Sequence, residues 1–268
     1  MALRSVSTLP ETVGAAVWRA DALACASGAV LPSGHAELDA QLPGGGWPVG
    51  ALCEVLQMQP GQHEWRLLLP ALRHLTQVQT ASVKLVQPGH LPARQVVLVG
   101  APCMPFAPGL AGQGLDARTL LWVQADSLAE RLWAAEQALR CAGVAALLLW
   151  LADASSSRVR ADHLRRLHLG AQAQAKLLFV MRPMSAQGES SPAVLRLWLG
   201  VAADGLVATA PGDALALQIL KRRGPPLAQT LLLPARHAAL ATLLAVSAAR
   251  RQSTPEPSHA LDRTAAAA

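Results

Sequence analysis

With 268 residues, 52% of them hydrophobic and only 15% charged, the chain can fill one substantial core with tails, at a charge density below the roughly 25% usual for globular domains. Its formal net charge of +6 is compatible with nucleic acid but equally with an ordinary basic protein, and does not decide between them. The longest apolar run, Val144 to Ala152, is far shorter than the ~20 residues of a spanning helix, and the opening MALRSVSTLPETVG has no apolar stretch of signal-peptide length, so a cytoplasmic protein with no membrane partner is expected.

The first segment, residues 1–27, is amphipathic: Thr12 to Ala24 has helical spacing, with Val13, Val17, Trp18 and Leu23 apolar. A core domain is expected over 28–235, followed at 236–268 by the end of a helix and a disordered tail rich in Pro, Ser and Ala. Within the core, Leu31 to Asp39 carries a cap-like Ser33, and Leu42 to Gly50 is too rich in Gly and Pro for regular structure. Strand and helix then alternate. Strands are expected at Ala51–Gln57, Gln95–Gly100, Thr119–Gln124, Val144–Leu151 and Lys176–Arg182, and helices at Glu64–Thr76, around Gly109–Gly114, at Ser127–Ala142 and at Ala161–Ala175. In the Ser127 helix, Glu130 stands at capping-box distance, and Leu128, Leu132, Ala135 and Leu139 make a core stripe against a solvated side of Glu130, Arg131, Glu136 and Arg140. Such alternation implies a mostly parallel sheet flanked by helices. After Pro192 come strands without helices, Val194–Leu199, Gly205–Thr209 and Ala214–Lys221, implying an antiparallel or mixed extension, and a helix is expected after Pro234.

The four cysteines, Cys25, Cys53, Cys103 and Cys141, form no C-x-x-C pair and have no histidine at zinc spacing, so no metal is expected and burial is.

One stretch carries a family pattern. Ser33, Gly34, Leu38, Asp39, Leu42, Gly45, Gly46, Pro48, Gly50 and Glu54 resemble, in order and spacing, the opening of the RecA family, which implies a RecA-like α/β fold. In that fold the next residues would be G-x-x-x-x-G-K-[ST], a loop that wraps phosphate with backbone N–H groups while Lys and the hydroxyl reach phosphate and magnesium. Here Gln57 and Gln62 replace the glycines, His63 the lysine and Glu64 the hydroxyl residue. Pro60 removes a donor, and Glu64 would repel phosphate while complementing the bare helix N-terminus. In VAALLLWLAD, Trp150 stands where the family's second nucleotide motif places an acid, and Asp153 reads as a solvated loop residue. No nucleotide cofactor and no catalysis are therefore expected.

VWRADALA, GLDARTLLWVQADSLAERLWAAEQALRCAGVAALLLWL and LQILKRRGPP together resemble the ImuA family over about residues 16 to 226. The resemblance implies a non-catalytic RecA-like accessory protein of bacterial damage-induced mutagenesis, working with an ImuB-like Y-family protein, RecA and an error-prone C-family polymerase. SulA-type division inhibitors, also RecA folds without a phosphate loop, remain the alternative, as does a weak single-stranded-DNA-binding RecA paralogue. For DNA, the candidates are Arg158, Arg160, Arg165 and Arg166, with His163 and His168 nearby, and Lys221, Arg222 and Arg223. Lacking Tyr and with two Phe, the chain offers little base stacking, so such contacts would be backbone-directed and salt-sensitive. For protein partners, the candidates are Val17, Trp18 and Leu23.

Overall fold

The computed structural model describes residues 28–61, 63–82, 94–151, 158–201, 214–227 and 229–233. In chain order they give β1 (Val30–Leu31), α1 (Ala36–Asp39), β2 (Trp47–Pro48), β3 (Leu52–Gln57), α2 (Glu64–Ser82), β4 (Gln95–Val99), α3 (Ala107–Gly112), β5 (Leu120–Val123), α4 (Leu128–Arg140), β6 (Val144–Trp150), α5 (Ala161–Ala173), β7 (Leu177–Pro183), β8 (Leu195–Val201), β9 (Leu215–Lys221) and β10 (Thr230–Leu233). Eight strands form one sheet in the order β10-β9-β8-β3-β7-β6-β4-β5. From β8 to β5 all neighbours are parallel, while β9 runs against β8 and β10 against β9. This is the expected α/β architecture, a mostly parallel sheet with an antiparallel extension, and it is consistent with a RecA-like fold.

Because both faces of the sheet are covered, β3, at its middle, is buried along its whole length. Side chains of successive residues alternate between two cores. Cys53, Val55, Leu148 and Phe179 pack under Leu67, Leu68 and Leu72 of α2. Leu52, Leu147, Leu149 and Val180 pack under Ala135 and Leu139 of α4 and Leu164 and Leu167 of α5. Trp47 of β2 closes the first core edge-on to Phe179, with ring centroids 5.1 Å apart. The Gly-rich opening is shaped by close approach: a Cβ on Gly34 would stand 2.4 Å from Pro70 Cβ, and one on Gly46 would stand 2.4 Å from the Leu31 carbonyl oxygen.

Glu54 interrupts the apolar pattern at the centre of the sheet and is fully buried. Its neighbour across the β3–β8 ladder is Arg196, whose Nε donates to Glu54 Oε2 at 2.6 Å, and Arg182 on β7 donates to Oε1 at 3.4 Å. Arg182 reaches on to Glu189 at 2.7 Å, and Glu189 takes Arg158 at 2.7 Å. Arg196 also donates to the carbonyls of Ala186, Gln187 and Glu189, pinning the 3₁₀ turn Met184–Gly188 beneath the sheet. The charges alternate along this chain, so each buried ion faces its opposite. Removing one partner of such a pair costs about 3–5 kcal/mol.

Several expectations are corrected. Trp47–Pro48 forms a two-residue strand paired with Val30–Leu31 inside the stretch read as irregular, since two residues are too few for periodicity to register. His35, and not Ser33, occupies the N-cap of α1; the Ser33 hydroxyl instead accepts from His35 N–H at 3.1 Å. Leu231–Leu233, given no element in the sequence, lie in β10, because an apolar run of this length is ambiguous until a neighbour, here β9, offers its edge. Of the cysteines, only Cys53 is buried among the described residues, with burial pushing its thiol well up. Cys103 and Cys141 are exposed because they sit in the loop after β4 and at the end of α4. The strand expected at Gly205–Thr209, the helix after Pro234, the segments 1–27 and 236–268, and Cys25 lie outside the described residues.

Candidate functional site

In open parallel sheets, ligands sit beyond the carboxyl ends of the strands, where successive connections leave on opposite faces. β3, β6 and β7 all end there, with Gln57, Trp150 and Pro183 as their last residues. The loop from β3 to α2 occupies the phosphate-loop position, and Glu64 opens α2.

Glu64 points back into this loop and is 1% exposed. Its Oε1 accepts from Gly61 N–H at 2.6 Å, from Gln57 Nε2 at 2.8 Å and from Trp150 Nε1 at 2.7 Å, while Oε2 accepts from His63 N–H at 3.0 Å. Two backbone donors of the kind that would cradle an anion are thus already bonded to a carboxylate from the same chain. The tryptophan that replaces the expected acid is what ties β6 to this carboxylate, across the intervening β7. His63 supplies no cation in place of lysine: burial, reinforced by the Arg66 charge, holds its imidazole below the ordinary 6.5, so it is neutral at pH 7. The residues present do not fit a nucleotide phosphate, which would have to displace Glu64 and then sit beside its charge. A cavity of about 230 Å³ remains next to this closure, bordered by Gln57, Pro60, Gly100, Arg131, Trp150 and Met181. Gln57 Oε1 and His63 Nδ1 are buried without a hydrogen-bond partner among the described residues. Arg131, expected on a solvated side, is half-buried and donates to the carbonyls of Ala125 (2.8 Å) and Trp150 (3.1 Å), bracing the end of β6. Gln62 lies outside the described residues, as does Asp153.

Except for the half-buried Arg222, the candidate arginines and Lys221 are exposed, yet most are paired. Arg158 bonds Glu189, Arg165 bonds Asp162 at 3.0 Å, and Arg166 bonds Glu136 at 2.5 Å. Arg160, at the N-cap of α5, lies with its guanidinium 3.2 Å from His163 Nε2, and its charge adds to burial in holding His163 below 6.5. Each acid cancels part of the field a phosphate backbone would feel, so the four arginines do not form one unneutralised stripe. His168 leaves this group altogether: its Nδ1 accepts from Leu52 N–H at 3.0 Å at the start of β3. Lys221 donates to the Ser191 carbonyl at 3.0 Å, and Arg222 to those of Pro225 (2.8 Å) and Gln41 (2.5 Å), while Arg223 is exposed with no hydrogen bond or ion pair among the described residues. The Glu54–Arg182–Arg196 cluster is not visible in the sequence, because Arg182 ends one apolar run and Arg196 interrupts another, and neither run shows which strand will lie beside it. The partner candidates Val17, Trp18 and Leu23 lie outside the described residues. Among the described residues there is no cluster of His, Cys, Asp or Glu able to hold a metal, and no helix long and apolar enough to cross a membrane.

No protein-family model matches the chain. It is 32% identical over 169 residues to Protein ImuA of Caulobacter vibrioides strain NA1000 / CB15N, and equally to Protein ImuA of strain ATCC 19089 / CIP 103742 / CB 15. The alignment covers 61% of this chain and 62% of each relative, so the chain spans less than two thirds of the length of the curated proteins it matches. Over that stretch the chain is similar in sequence to ImuA, carried on a mostly parallel α/β sheet consistent with the RecA-like fold.

Proposed function

We propose that this chain is a non-catalytic accessory protein of damage-induced translesion DNA synthesis, which works by binding an ImuB-like Y-family protein, RecA and an error-prone C-family polymerase and does not hydrolyse ATP. The observation that carries the reading is the Glu64 carboxylate, held by Gln57, Gly61, His63 and Trp150 in the place of a phosphate. A scaffold whose nucleotide loop is filled by its own side chain keeps its surfaces, and surfaces are what remain for function. The likeness to ImuA supports placing those surfaces in the mutagenesis system. The amphipathic segment with Val17, Trp18 and Leu23 is the favoured partner surface, since interface energy concentrates in a few aromatic or Arg anchors. Single-stranded DNA is a weaker partner, given the pairing of Arg158, Arg165 and Arg166.

The test combines calorimetry with ATP and magnesium and size-exclusion chromatography with each purified partner from the same organism. We expect no ATP binding, and association with the ImuB-like protein that is indifferent to nucleotide and lost when residues 1–27 are removed from a chain still folded by circular dichroism. Micromolar ATP affinity that disappears in Glu64→Ala, or no association with any of the three partners, overturns the reading.

A further inference from the structure

At the amino end of the sheet, opposite the closed loop, a cavity of about 360 Å³ opens beside β1 and β2. Its lining combines the aliphatic residues Val30, Leu42, Val194 and Leu195 with the basic residues His168, Arg222 and Arg223. Among the described residues that line it there is no Asp or Glu. Because His168 Nδ1 accepts from Leu52 N–H, the proton of the neutral ring lies on Nε2, which has no hydrogen-bond partner among the described residues. Arg222 is held rigid by the carbonyls of Gln41 and Pro225, so its charge is fixed at the rim before any ligand arrives. Arg223, beside it, is exposed and lacks both hydrogen bond and ion pair among the described residues, and its charge is felt by His168. The carboxyl end of α5 lies at the same cavity through Gln172. Its partial charge of about −0.5 opposes an anion, but two full guanidinium charges outweigh it.

We propose that this cavity binds an acidic peptide segment of a protein partner, with a Glu or Asp carboxylate between Arg223 and His168 and an adjacent aliphatic side chain against Val30, Val194 and Leu195. The proposal deepens the partner-binding reading and rests on it. Charge complementarity names the occupant: donors and cations with no acid among the described lining residues call for a carboxylate, and the aliphatic lining beside them calls for an apolar neighbour. A concave pocket with two arginines and no aromatic platform suits a side-chain pair better than a nucleic-acid strand, which needs an extended positive groove with stacking rings.

The experiment is selection of a phage library displaying random dodecapeptides on the full chain and on Arg223→Glu, followed by titration of the synthesised consensus peptide by fluorescence anisotropy. Arg223 is exposed and makes no hydrogen bond or ion pair among the described residues, so its reversal leaves the fold intact, which circular dichroism checks. Peptides selected on the parent chain are expected to place Glu or Asp next to Leu, Ile or Val, and the consensus to bind Arg223→Glu about tenfold more weakly. Peptides without acidic enrichment, or equal affinity for both chains, overturn the proposal. So does an oligo-dT strand that displaces the peptide and binds more tightly, which would reassign the cavity to nucleic acid. If the ImuB-like protein still associates while these peptides fail, only the cavity assignment falls. If the peptides bind but none of the three partners associates, the mutagenesis reading falls and the cavity stands.

Discussion

The two ends of the sheet use the same chemistry in opposite ways. At the carboxyl end a carboxylate from the chain itself meets four donors, and the side chain that would have carried a cation is a neutral imidazole. At the amino end, Arg223 and His168 Nε2 stand without an acceptor among the described residues, and Arg222 is fixed in place beside them. An end whose donors are internally satisfied contributes stability, whereas an end whose donors are left open contributes a potential that a partner can use. The position that topology makes the usual binding site is therefore the one this chain has closed.

The comparison is broken most directly at Glu64. Glu64→Ala leaves four donors without their acceptor, those of Gln57 and Trp150 in buried bonds, and is expected to destabilise by about 3 kcal/mol, or lower Tm by about 8 °C, in thermal unfolding. A change under about 1 kcal/mol would mean that the closure holds nothing together. Trp150→Phe keeps an aromatic side chain but removes the N–H together with part of the indole, and the lost hydrogen bond to a charged group is expected to cost about 2 kcal/mol on top of the lost packing. A double-mutant cycle with Glu64→Ala should show most of that cost as coupling.

Acid pH acts on both ends. Burial, aided by Arg66 at His63 and by Arg223 at His168, depresses both imidazoles below 6.5, and His163 behaves likewise. The unfolded chain therefore takes up protons that the folded chain refuses, so stability is full above 6.5 and falls as pH drops through and below that value. A second decline follows below about 4.5 as Glu189, held low by Arg158 and Arg182, is protonated. Denaturant midpoints at stepped pH check this, and His63→Gln or His168→Gln should each flatten part of the first decline. Smallest of all, Arg223→Glu should leave unfolding within about 0.5 kcal/mol of the parent while weakening acidic-peptide binding, because its charge makes no hydrogen bond or ion pair within the described fold.

Much of this was legible in the residues, for identifiable reasons. The capping box of α4 follows from Ser127 and Glu130 three apart, and in the structure the Ser127 hydroxyl accepts from Glu130 N–H at 3.2 Å while Glu130 Oε2 accepts from Ser127 N–H at 3.0 Å. The runs at β6 and β7 announce buried parallel strands because both faces are covered. The replacement of lysine, hydroxyl and acid at His63, Glu64 and Trp150 was visible one position at a time. What sequence did not show is that two of those replacements touch, since a bond spanning 86 residues depends on the strand order and not on local pattern. For the same reason Arg182 reads as the end of one apolar strand and Arg196 as an interruption of another until the ladders place β7 and β8 on either side of Glu54. The acids opposite Arg158 and Arg166 come from other segments, Glu189 and Glu136, and only the fold brings them close enough to neutralise the patch.

Cys53 turns the centre of the sheet into its own reporter. Its thiol is enclosed on the middle strand and kept protonated by burial, while Cys103 and Cys141 are open to solvent. An alkylating reagent should modify those two at once and reach Cys53 only during openings that part β3 from its neighbours. The rate of that slow modification is a clock on the sheet, readable by mass in the intact chain, and it would rank variants at either end by how often they let the middle come apart.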